Sequence, residues 1–485
     1  MQQRFNLIDE PWLPVAGHGL LSLRSIFARS DLPALGGSVT EKIAAIKLLQ
    51  AIAQAACTPK DDDEWQRLGE EGMARACLDY LERWLDAFWL YHPEKPFLQF
   101  PAVAKAETKP YGAPLPEIAT TNASIVFQQQ VPPEPQHVSD DARARFILAH
   151  MSCCFGGKKV EKGITAKPGP ALCSYGLLHS FLLGNSVRQS IWLNLLTHAD
   201  VQEEKTFTLG IGTPPWERMP AGKNDATAQA LQHSLMGRLV PMARFLLLGD
   251  SGVHYVEGIQ HPDYLSGMMD PSAAGDFSKA KPKMLWADPD KRPWRSLTAL
   301  LAFLNKSDAS AFICPQLKWC AARLQRADIG AFRLWSGGIR LSYKAGEQYL
   351  SDSDDVVESE LDLHTDWMNG EASMWFAQLQ NAMAQLDKIN KTVYAATFGY
   401  YNDAKVDSAK KLAAQAAHEF WQMAERHFAA LSNACAQSDN APRHAIMRRM
   451  HHCARQSYEH ACPQGTARQL QIFVKHYPRL GKEAP

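Results

Sequence analysis

Two consecutive glycines beside a run of lysines form the segment of this chain best suited to contact a polyanion. The segment reads Phe155-Gly156-Gly157-Lys158-Lys159, and Lys162, Gly163 and Lys167 follow it. Paired glycines let another molecule approach the backbone closely and let the chain adopt a positive φ. The four lysines would attract phosphate groups. The segment therefore suits a loop that contacts nucleic acid, and a solvated loop without a partner is the alternative explanation.

A second concentration of positive charge lies between residues 442 and 479. Its cations are Arg443, Arg448, Arg449, Arg455, Arg468, Lys475 and Arg479. The only acid in this range is Glu459. Arg448 and Arg455 are seven residues apart and share one helix face, with Arg449 beside them. These three arginines would contact phosphates, unless the segment pairs with a partner subunit or with the acidic stretch near residue 355.

Residues 337–350 have the alternation of a β-hairpin. Ile339, Leu341 and Tyr343 alternate with polar residues, a Lys-Ala-Gly sequence follows, and Gln348 comes after the turn. Period-two alternation around a glycine-containing turn is typical of two antiparallel strands. The pattern predicts a hairpin with a polar tip, and most such hairpins are structural.

No enzyme motif is evident. Gly210-Ile211-Gly212 lacks the third glycine of a dinucleotide-binding loop, and Gly222-Lys223 is followed by Asn224 rather than a hydroxyl residue. His451-His452-Cys453 would point about a hundred degrees apart on a helix, which disfavours a shared metal. The ten cysteines include no CxxC pair. We therefore expect no catalytic activity, no cofactor and no metal.

The composition is that of an ordinary globular protein. The chain has 485 residues, with 46% apolar and 21% charged residues and a formal net charge of zero. This length suits two or three domains, and the neutral balance excludes a strongly basic DNA-coating protein. The first ten residues contain acids rather than the apolar run of a signal peptide, and no apolar run reaches the length of a membrane span. We expect a cytoplasmic protein that does not contact membranes.

These segments must be positioned by two kinds of structure. Residues 1–355 mix helical periodicity with short apolar runs and Gly/Pro breaks, which predicts a large mixed α/β domain. An acidic stretch then suggests a linker over 356–370. Residues 371–485 are rich in Ala, Gln and Leu with helical periodicity and three breaks, which predicts a four-helix bundle. The expected class is α+β.

Several motifs, taken in order, resemble one family. The opening Phe5-Asn6-Leu7-Ile8-Asp9-Glu10-Pro11-Trp12-Leu13-Pro14-Val15 is the most specific. Further matches are Leu21-Ser22-Leu23-Arg24, Tyr91-His92-Pro93-Glu94-Lys95-Pro96-Phe97-Leu98-Gln99, Thr121-Asn122-Ala123, Phe155-Gly156-Gly157 and Trp335-Ser336-Gly337-Gly338. In this order they resemble the CasA-type large subunits of the type I-E CRISPR Cascade complex.

The resemblance implies a non-catalytic subunit of an RNA-guided complex. Such a subunit recognises the protospacer-adjacent motif in double-stranded DNA, helps to open the duplex for R-loop formation and recruits the helicase-nuclease effector in antiviral defence. Its partners would be the other Cascade subunits, the guide crRNA, target DNA and the effector, while base pairing selects the protospacer. A purely structural bridging subunit and an unrecognised nuclease are the alternatives.

The resemblance also assigns roles by position. The motif loop would be Phe155, Gly156, Gly157, Lys158 and Lys159, facing the minor groove. The wedge hairpin would present Tyr343, Lys344 and Gln348. A loop near the guide 5′ end and the motif would present Asn122, Phe127, Gln128 and Gln129. Motif-contacting lysines would come from Lys279, Lys281 and Lys283. Some relatives carry paired cysteines suited to zinc, and this chain lacks them.

Overall fold

The chain folds into two compact units. The computed structural model describes residues 3–109, 111, 138–157, 159–161, 164–166, 169–267, 270–304, 312–344, 347–349, 355–368 and 372–480. The first unit comprises Met1–Phe303 with Ala309–Leu363, and the second comprises Leu304–Asp308 with His364–Pro485.

The described part of the first unit contains ten α-helices. They are α1 (Leu23–Ala28), α2 (Val39–Cys57), α3 (Asp62–Arg83), α4 (Asp140–Cys153), α5 (Val187–Leu193), α6 (His198–Glu203), α7 (Ala226–Gln232), α8 (Met236–Leu239), α9 (Leu297–Leu300) and α10 (Pro315–Ala322). Helix α2 is central, because it packs against α3, α4, α5, α8 and the strand Ala331–Ile339.

The start of α2 follows from local sequence, because Ser38-Val39-Thr40-Glu41 has the spacing that predicts a capping box. The Ser38 hydroxyl accepts from the backbone N–H of Glu41, and the Glu41 carboxylate accepts from the backbone N–H of Ser38. This reciprocal capping satisfies two donors that the first helical turn would otherwise leave free. Ile43, Ile46, Leu49 and Ile52 recur every three residues, which predicts one apolar helix face. Ile43, Leu49 and Ile52 are fully buried, and Ile46 is partly buried.

The strands of the first unit are short. They are β1 (Arg4–Asn6), β2 (Leu13–Val15), β3 (Gly19–Leu21), β4 (Trp89–Tyr91), β5 (Thr108–Lys109), β6 (Lys159–Glu161), β7 (Ile164–Ala166), β8 (His179–Leu183), β9 (Arg244–Leu248), β10 (Val253–Glu257), β11 (Gly275–Asp276), β12 (Lys283–Met284), β13 (Phe312–Ile313), β14 (Ala331–Ile339), β15 (Ser342–Lys344), β16 (Glu347–Tyr349) and β17 (Val356–His364). Three-stranded sheets have the orders β5-β10-β9, β12-β11-β13 and β17-β14-β8, and the other strands pair in twos.

The acidic stretch expected to be a linker over 356–370 begins instead as strand β17 in the same sheet as β14. Its apolar side chains alternate with acids, and Val357 and Leu363 are buried. The acids are bound within the first unit: Glu358 contacts Lys42 and accepts from Trp335 Nε1 at 2.7 Å. The prediction of a linker gave weight to the acidic residues and overlooked the period-two alternation that is typical of a strand.

Charged groups are buried beneath the central helix. The Lys47 ammonium on α2 pairs with the Asp270 carboxylate, and both side chains are 2% exposed. Asp270 also accepts from the backbone N–H and hydroxyl of Ser272, whose Oγ lies 2.9 Å from His179 Nδ1. Burial would raise the pKa of Asp270, but Lys47 outweighs it and lowers that pKa. The pair is therefore held ionised inside the core.

The second unit is helical. Its described helices are α11 (Ala372–Asp403), α12 (Ala409–Glu425), α13 (Phe428–Cys435), α14 (Ala441–Ala461) and α15 (Ala467–His476). Helices α12 and α13 are separated by only two residues, and α11 packs against each of the other four.

Counting α12 and α13 as one interrupted arm, the second unit is a bundle of four arms in its described part. Trp375, Leu379 and Leu386 of α11 are at most 2% exposed, as are Phe420 and Tyr458 of the facing helices. A mixed first unit followed by this bundle confirms the predicted α+β class. Among the described residues, no helix combines the length and hydropathy needed to cross a membrane.

The fully buried His179 and the partly buried His261 predict that the first unit loses stability in mild acid. Burial, reinforced by Lys47, lowers the pKa of His179 to about 4, and burial with nearby Arg238 lowers that of His261 to about 3. The unfolded chain takes up both protons near pH 6.5, where the folded protein binds neither. The free energy of unfolding should therefore fall as the pH drops below about 6.5, by up to about 1.4 kcal/mol per pH unit for each histidine.

The variant His261→Gln tests this pH dependence of stability by urea denaturation at pH 7, 6 and 5. Gln keeps a donor for the Pro241 carbonyl, which His261 Nε2 contacts, and removes the titration. We expect a flatter pH dependence than for the wild-type chain. His452→Gln, at an exposed position, is the matched control and should leave the slope unchanged. An equal slope in His261→Gln and the wild type would contradict the prediction.

Candidate nucleic-acid interface

The predicted glycine loop is the first arm of a longer hairpin, here called the glycine hairpin (residues 154–171). At its base the Ala171 N–H donates to the Cys154 carbonyl at 2.9 Å. Farther out, β6 and β7 pair antiparallel, with Lys159 opposite Ala166. Lys158 lies outside the described residues, and so does the side chain of Lys159.

The base of the glycine hairpin is fixed by a buried arginine that the sequence analysis missed. Arg244, at the start of β9, is 1% exposed. Its Nη2 donates to the Phe155 carbonyl at 2.6 Å, and its Nη1 donates to the Gly169 carbonyl at 3.1 Å. The Gly169 N–H donates to Gln260 Oε1 at 2.9 Å. An arginine that opens an otherwise apolar strand was the available signal, because a buried guanidinium needs acceptors.

The two glycines have different roles. A Cβ on Gly156 would lie 2.8 Å from the backbone nitrogen of Pro170 and 2.9 Å from its Cδ, closer than real contacts allow. Gly157 has φ 158°, near extended backbone that other residues also adopt. Close packing against Pro170 thus explains the glycine at 156, and backbone strain does not explain the glycine at 157.

The predicted hairpin at 342–349 is present, and it is bonded to the glycine hairpin. Strands β15 and β16 pair with Tyr343 opposite Gln348. The Gly156 N–H donates to Gln348 Oε1 at 2.8 Å, and the Gln348 N–H donates to the Gly156 carbonyl at 3.3 Å. The structure therefore brings together the predicted motif loop and the predicted wedge hairpin. The side chains of Tyr343 and Lys344 lie outside the described residues.

A charged cluster anchors the base of the wedge hairpin. Arg340 Nε donates to the buried Asp355 carboxylate at 2.7 Å, and its Nη1 donates to Asp290 at 2.9 Å. The Arg340 N–H also donates to the Asp355 carbonyl at 2.7 Å. These bonds hold the strand before the hairpin against the residue that precedes β17. Sequence reasoning missed this role, because Asp355 was considered only as part of an acidic stretch at the border of the expected linker.

The three candidate lysines belong to one exposed loop. Lys279 and Lys281 lie between β11 and β12, Lys283 starts β12, and all three are exposed. The hydrogen bonds of Ser278 and, less, the nearby lysines lower the pKa of Asp276 at the start of this loop. Just after β12, the Leu285 carbonyl accepts from the Leu178 N–H at 2.9 Å. The lysine loop is thereby attached to the chain that leaves the glycine hairpin.

The three bundle arginines are exposed on α14. Arg448, Arg449 and Arg455 lie on its solvent side, whereas Met450 and Tyr458 are fully buried. None of the three pairs with a carboxylate of the residues that the structure describes. Acids of the stretch near 355 pair instead with Lys42, Arg333 and Arg340. The arrangement leaves a cationic helix face available to an anionic partner.

Two further predictions concern the guide-end loop and metal binding. Asn122, Phe127, Gln128 and Gln129 lie outside the described residues. Across the described ranges, no three His, Cys, Asp or Glu side chains are grouped to hold a metal ion.

Comparison with known proteins identifies the family. The model of the family described as CRISPR-associated protein Cse1 matches residues 6–460. The CasA/Cse1 protein of Thermus thermophilus is 28% identical over 322 residues, which cover 62% of this chain and 60% of that protein. The matched region thus spans about three fifths of the length of this relative.

The fold is shared with solved structures. The crystal structure of Thermobifida fusca Cse1 has a TM-score of 0.78 at 19% identity, covering 99% of this chain and 97% of that one. A chain of a CRISPR RNA-guided surveillance complex has a TM-score of 0.71 at 16% identity, covering 99% and 100%. This fold defines a large mixed unit followed by a helical bundle. The chain belongs to the Cse1 (CasA) family of CRISPR-associated proteins, as its motifs had suggested.

Removing the Gln348 side chain should loosen the glycine hairpin locally. In Gln348→Ala the Gly156 N–H loses its acceptor, a hydrogen bond worth about 1 kcal/mol. We expect amide hydrogen exchange over residues 154–157 to become about fivefold faster, since this free energy is a factor of about five. Hydrogen–deuterium exchange with mass spectrometry measures this.

Two variants control the experiment. Gln348→Glu keeps an acceptor oxygen and should exchange at nearly the wild-type rate. Gln325→Ala removes an exposed glutamine far from the hairpin in sequence and should change nothing there. Unchanged exchange over 154–157 in Gln348→Ala would show that the bond does not hold the hairpin.

Proposed function

We propose that this chain is a non-catalytic subunit of an RNA-guided CRISPR Cascade complex. It recognises the protospacer-adjacent motif in double-stranded DNA, helps to open the duplex for R-loop formation and recruits the helicase-nuclease effector. Its partners are the other Cascade subunits, the guide crRNA, target DNA and that effector. Support comes from its Cse1 family membership and from the fold it shares with a chain of a CRISPR RNA-guided surveillance complex.

In this proposal the glycine hairpin reads the motif through the minor groove. Every base pair presents acceptors there, so the groove carries a degenerate code. A backbone N–H such as that of Gly156 can donate to those acceptors if no side chain keeps the groove away. Lys158 and Lys159 add attraction for the neighbouring phosphates. Permissive motif reading follows from this chemistry.

The bond between Gly156 and Gln348 is the observation that carries the proposal. In the free chain the Gly156 N–H is occupied by Gln348 Oε1 at 2.8 Å. A groove acceptor that binds this N–H takes the place of the glutamine oxygen. The released amide is then free to contact the base step beside the motif, together with Tyr343 and Lys344. Motif binding and strand opening are coupled through one donor.

The other candidate residues supply phosphate and guide contacts in the proposal. The exposed Lys279, Lys281 and Lys283 contact the backbone near the motif, and Arg448, Arg449 and Arg455 contact it along the bundle. Asn122, Phe127, Gln128 and Gln129 contact the guide 5′ end. Phosphate contacts fix position and affinity, whereas base contacts specify sequence.

The proposal predicts that Gln348→Ala impairs opening of paired DNA. Separating the first base step costs a few kcal/mol, which an inserted side chain partly offsets. The assembled complex carrying this variant should bind fully paired motif duplex at least tenfold more weakly. It should bind duplex mismatched beside the motif as the wild type does, because the opening penalty is already absent. Equilibrium binding of the two targets measures the difference.

Two comparisons separate the alternatives. The complex without this subunit should lose preference for the motif; retained preference would favour a purely bridging role. An equal loss on paired and mismatched targets in Gln348→Ala, with poorer assembly, would make the hairpin a structural element rather than a wedge.

The bundle arginines predict a change in salt dependence. Replacing Arg448, Arg449 and Arg455 by Ala should lower the slope of log affinity against log salt concentration by about three units, about one per phosphate contact. Motif preference should stay as in the wild type. Titrations of target DNA at several salt concentrations measure the slope.

The control removes the same charge elsewhere. Arg67, Arg75 and Arg83 are exposed on α3, and their triple Ala variant should keep the wild-type slope. If both triple variants give the same slope, the bundle arginines do not contact the DNA.

A further inference from the structure

An exposed tryptophan lies immediately after the lysine loop. Trp286 is 47% exposed, whereas Trp12, Trp65, Trp294 and Trp335 are at most 2% exposed. Leu265, which follows Tyr264 in the chain, is 55% exposed. A single exposed apolar residue is ordinary, but an exposed indole within an aromatic cluster marks a contact surface.

The indole is held by two tyrosines from other parts of the chain. The Trp286 and Tyr264 rings are 5.5 Å apart at 80°, and the Tyr264 and Tyr175 rings are 6.2 Å apart at 88°. Both tyrosines pack against a core cluster that includes Leu177 and Met284. An edge-to-face contact with Tyr264 leaves at least one face of the indole uncovered by that ring. The ring is therefore supported and still able to stack.

The surrounding charge favours a nucleic acid. Lys279, Lys281 and Lys283 are exposed in the loop just before Trp286. Asp263 adjoins Tyr264 and accepts from Ser266, and Asp276 precedes the lysines and accepts from Ser278. Asp288, two residues after Trp286, lies 3.7 Å from the Arg340 guanidinium. Aromatic rings beside cationic side chains bind single-stranded nucleic acids, because every base offers a face for stacking.

The cluster adjoins the glycine hairpin. Tyr175 ends the short 3-10 helix Leu172–Tyr175 that follows this hairpin, and Leu177 bridges to Trp286. We infer that Trp286, supported by Tyr264 and Tyr175, is a stacking platform for an unpaired base of the target DNA beside the motif. The inference rests on the proposed function and extends it, since it assigns a site for the base that opening releases.

The experiment places the fluorescent base 2-aminopurine beside the motif in target DNA mismatched at that step. Binding by the assembled wild-type complex should quench its fluorescence, because stacking on an indole does so. Trp286→Ala should abolish the quenching and lower affinity for this target about tenfold, within the range for one stacked base. Trp286→Phe should retain most of both effects, whereas Trp286→Leu, which is apolar but not aromatic, should lose them.

Further measurements distinguish whether the stacked base comes from the target DNA or from the guide RNA. Quenching of 2-aminopurine in the guide RNA rather than in the DNA would overturn the assignment to target DNA. Equal effects of Trp286→Leu and Trp286→Phe, or quenching that survives in Trp286→Ala, would overturn stacking. If Trp286→Ala assembles poorly into the complex, while the complexes that do form bind DNA as the wild type does, Trp286 contacts a protein instead of a base.

The motif preference of the wild-type complex, measured with unmodified duplex, is the separate readout of the proposed function. If this preference is present and the quenching is absent, the platform alone is wrong. If the motif preference is absent and the quenching persists, Trp286 stacks on a base but the chain does not read the motif.

Discussion

The N–H of Gly156 is the point on which the arrangement of the candidate interface depends. It donates to Gln348 Oε1, and the Gly156 carbonyl accepts from the Gln348 N–H, so that two hairpins distant in the chain are joined edge to edge. The absence of a Cβ lets Gly156 pack closely against Pro170, and Arg244 binds the adjacent Phe155 carbonyl. A backbone that bonds a side chain and packs on a proline ring leaves little room for alternative loop shapes. The interface is preorganised by polar bonds rather than by apolar packing, which suits a surface that must stay wet.

Beneath the interface, the first unit keeps charges in its core. Lys47 and Asp270 are both 2% exposed, and the network continues through Ser272 to His179. His179 opens β8, which pairs with β14, and β14 leads into the wedge hairpin. Buried ion pairs add little net stability compared with apolar residues, but removing one partner is severely destabilising. The core network thus reaches the first residue of the strand that pairs with β14, and loss of either ionic partner would destabilise this region.

Sequence reasoning succeeded where the determining contacts are local. The capping of α2 by Ser38 and Glu41 lies within four residues, and the strand alternation of the wedge hairpin lies within fourteen. It failed where partners are distant: Arg244 binds carbonyls 89 and 75 residues away, and Gln348 binds an amide 192 residues away. The periodicity of apolar residues in the sequence does not predict such long-range hydrogen bonds. The acidic stretch failed for another reason, since charge was given more weight than the alternation that formed β17.

The cationic side chains proposed to contact DNA lie in loops and on one bundle face, while the whole chain has zero net charge. Long-range attraction to DNA grows with net charge, and a neutral molecule generates little of it beyond the Debye length of about 8 Å. Under the proposed function, random genomic DNA would be released quickly, because only sequences that also satisfy the glycine hairpin add short-range bonds. A genome offers about 10⁶ or more competing sites, so brief residence on each is a condition for finding the right one. Neutrality of the chain thus favours the speed of the search over the strength of any single encounter.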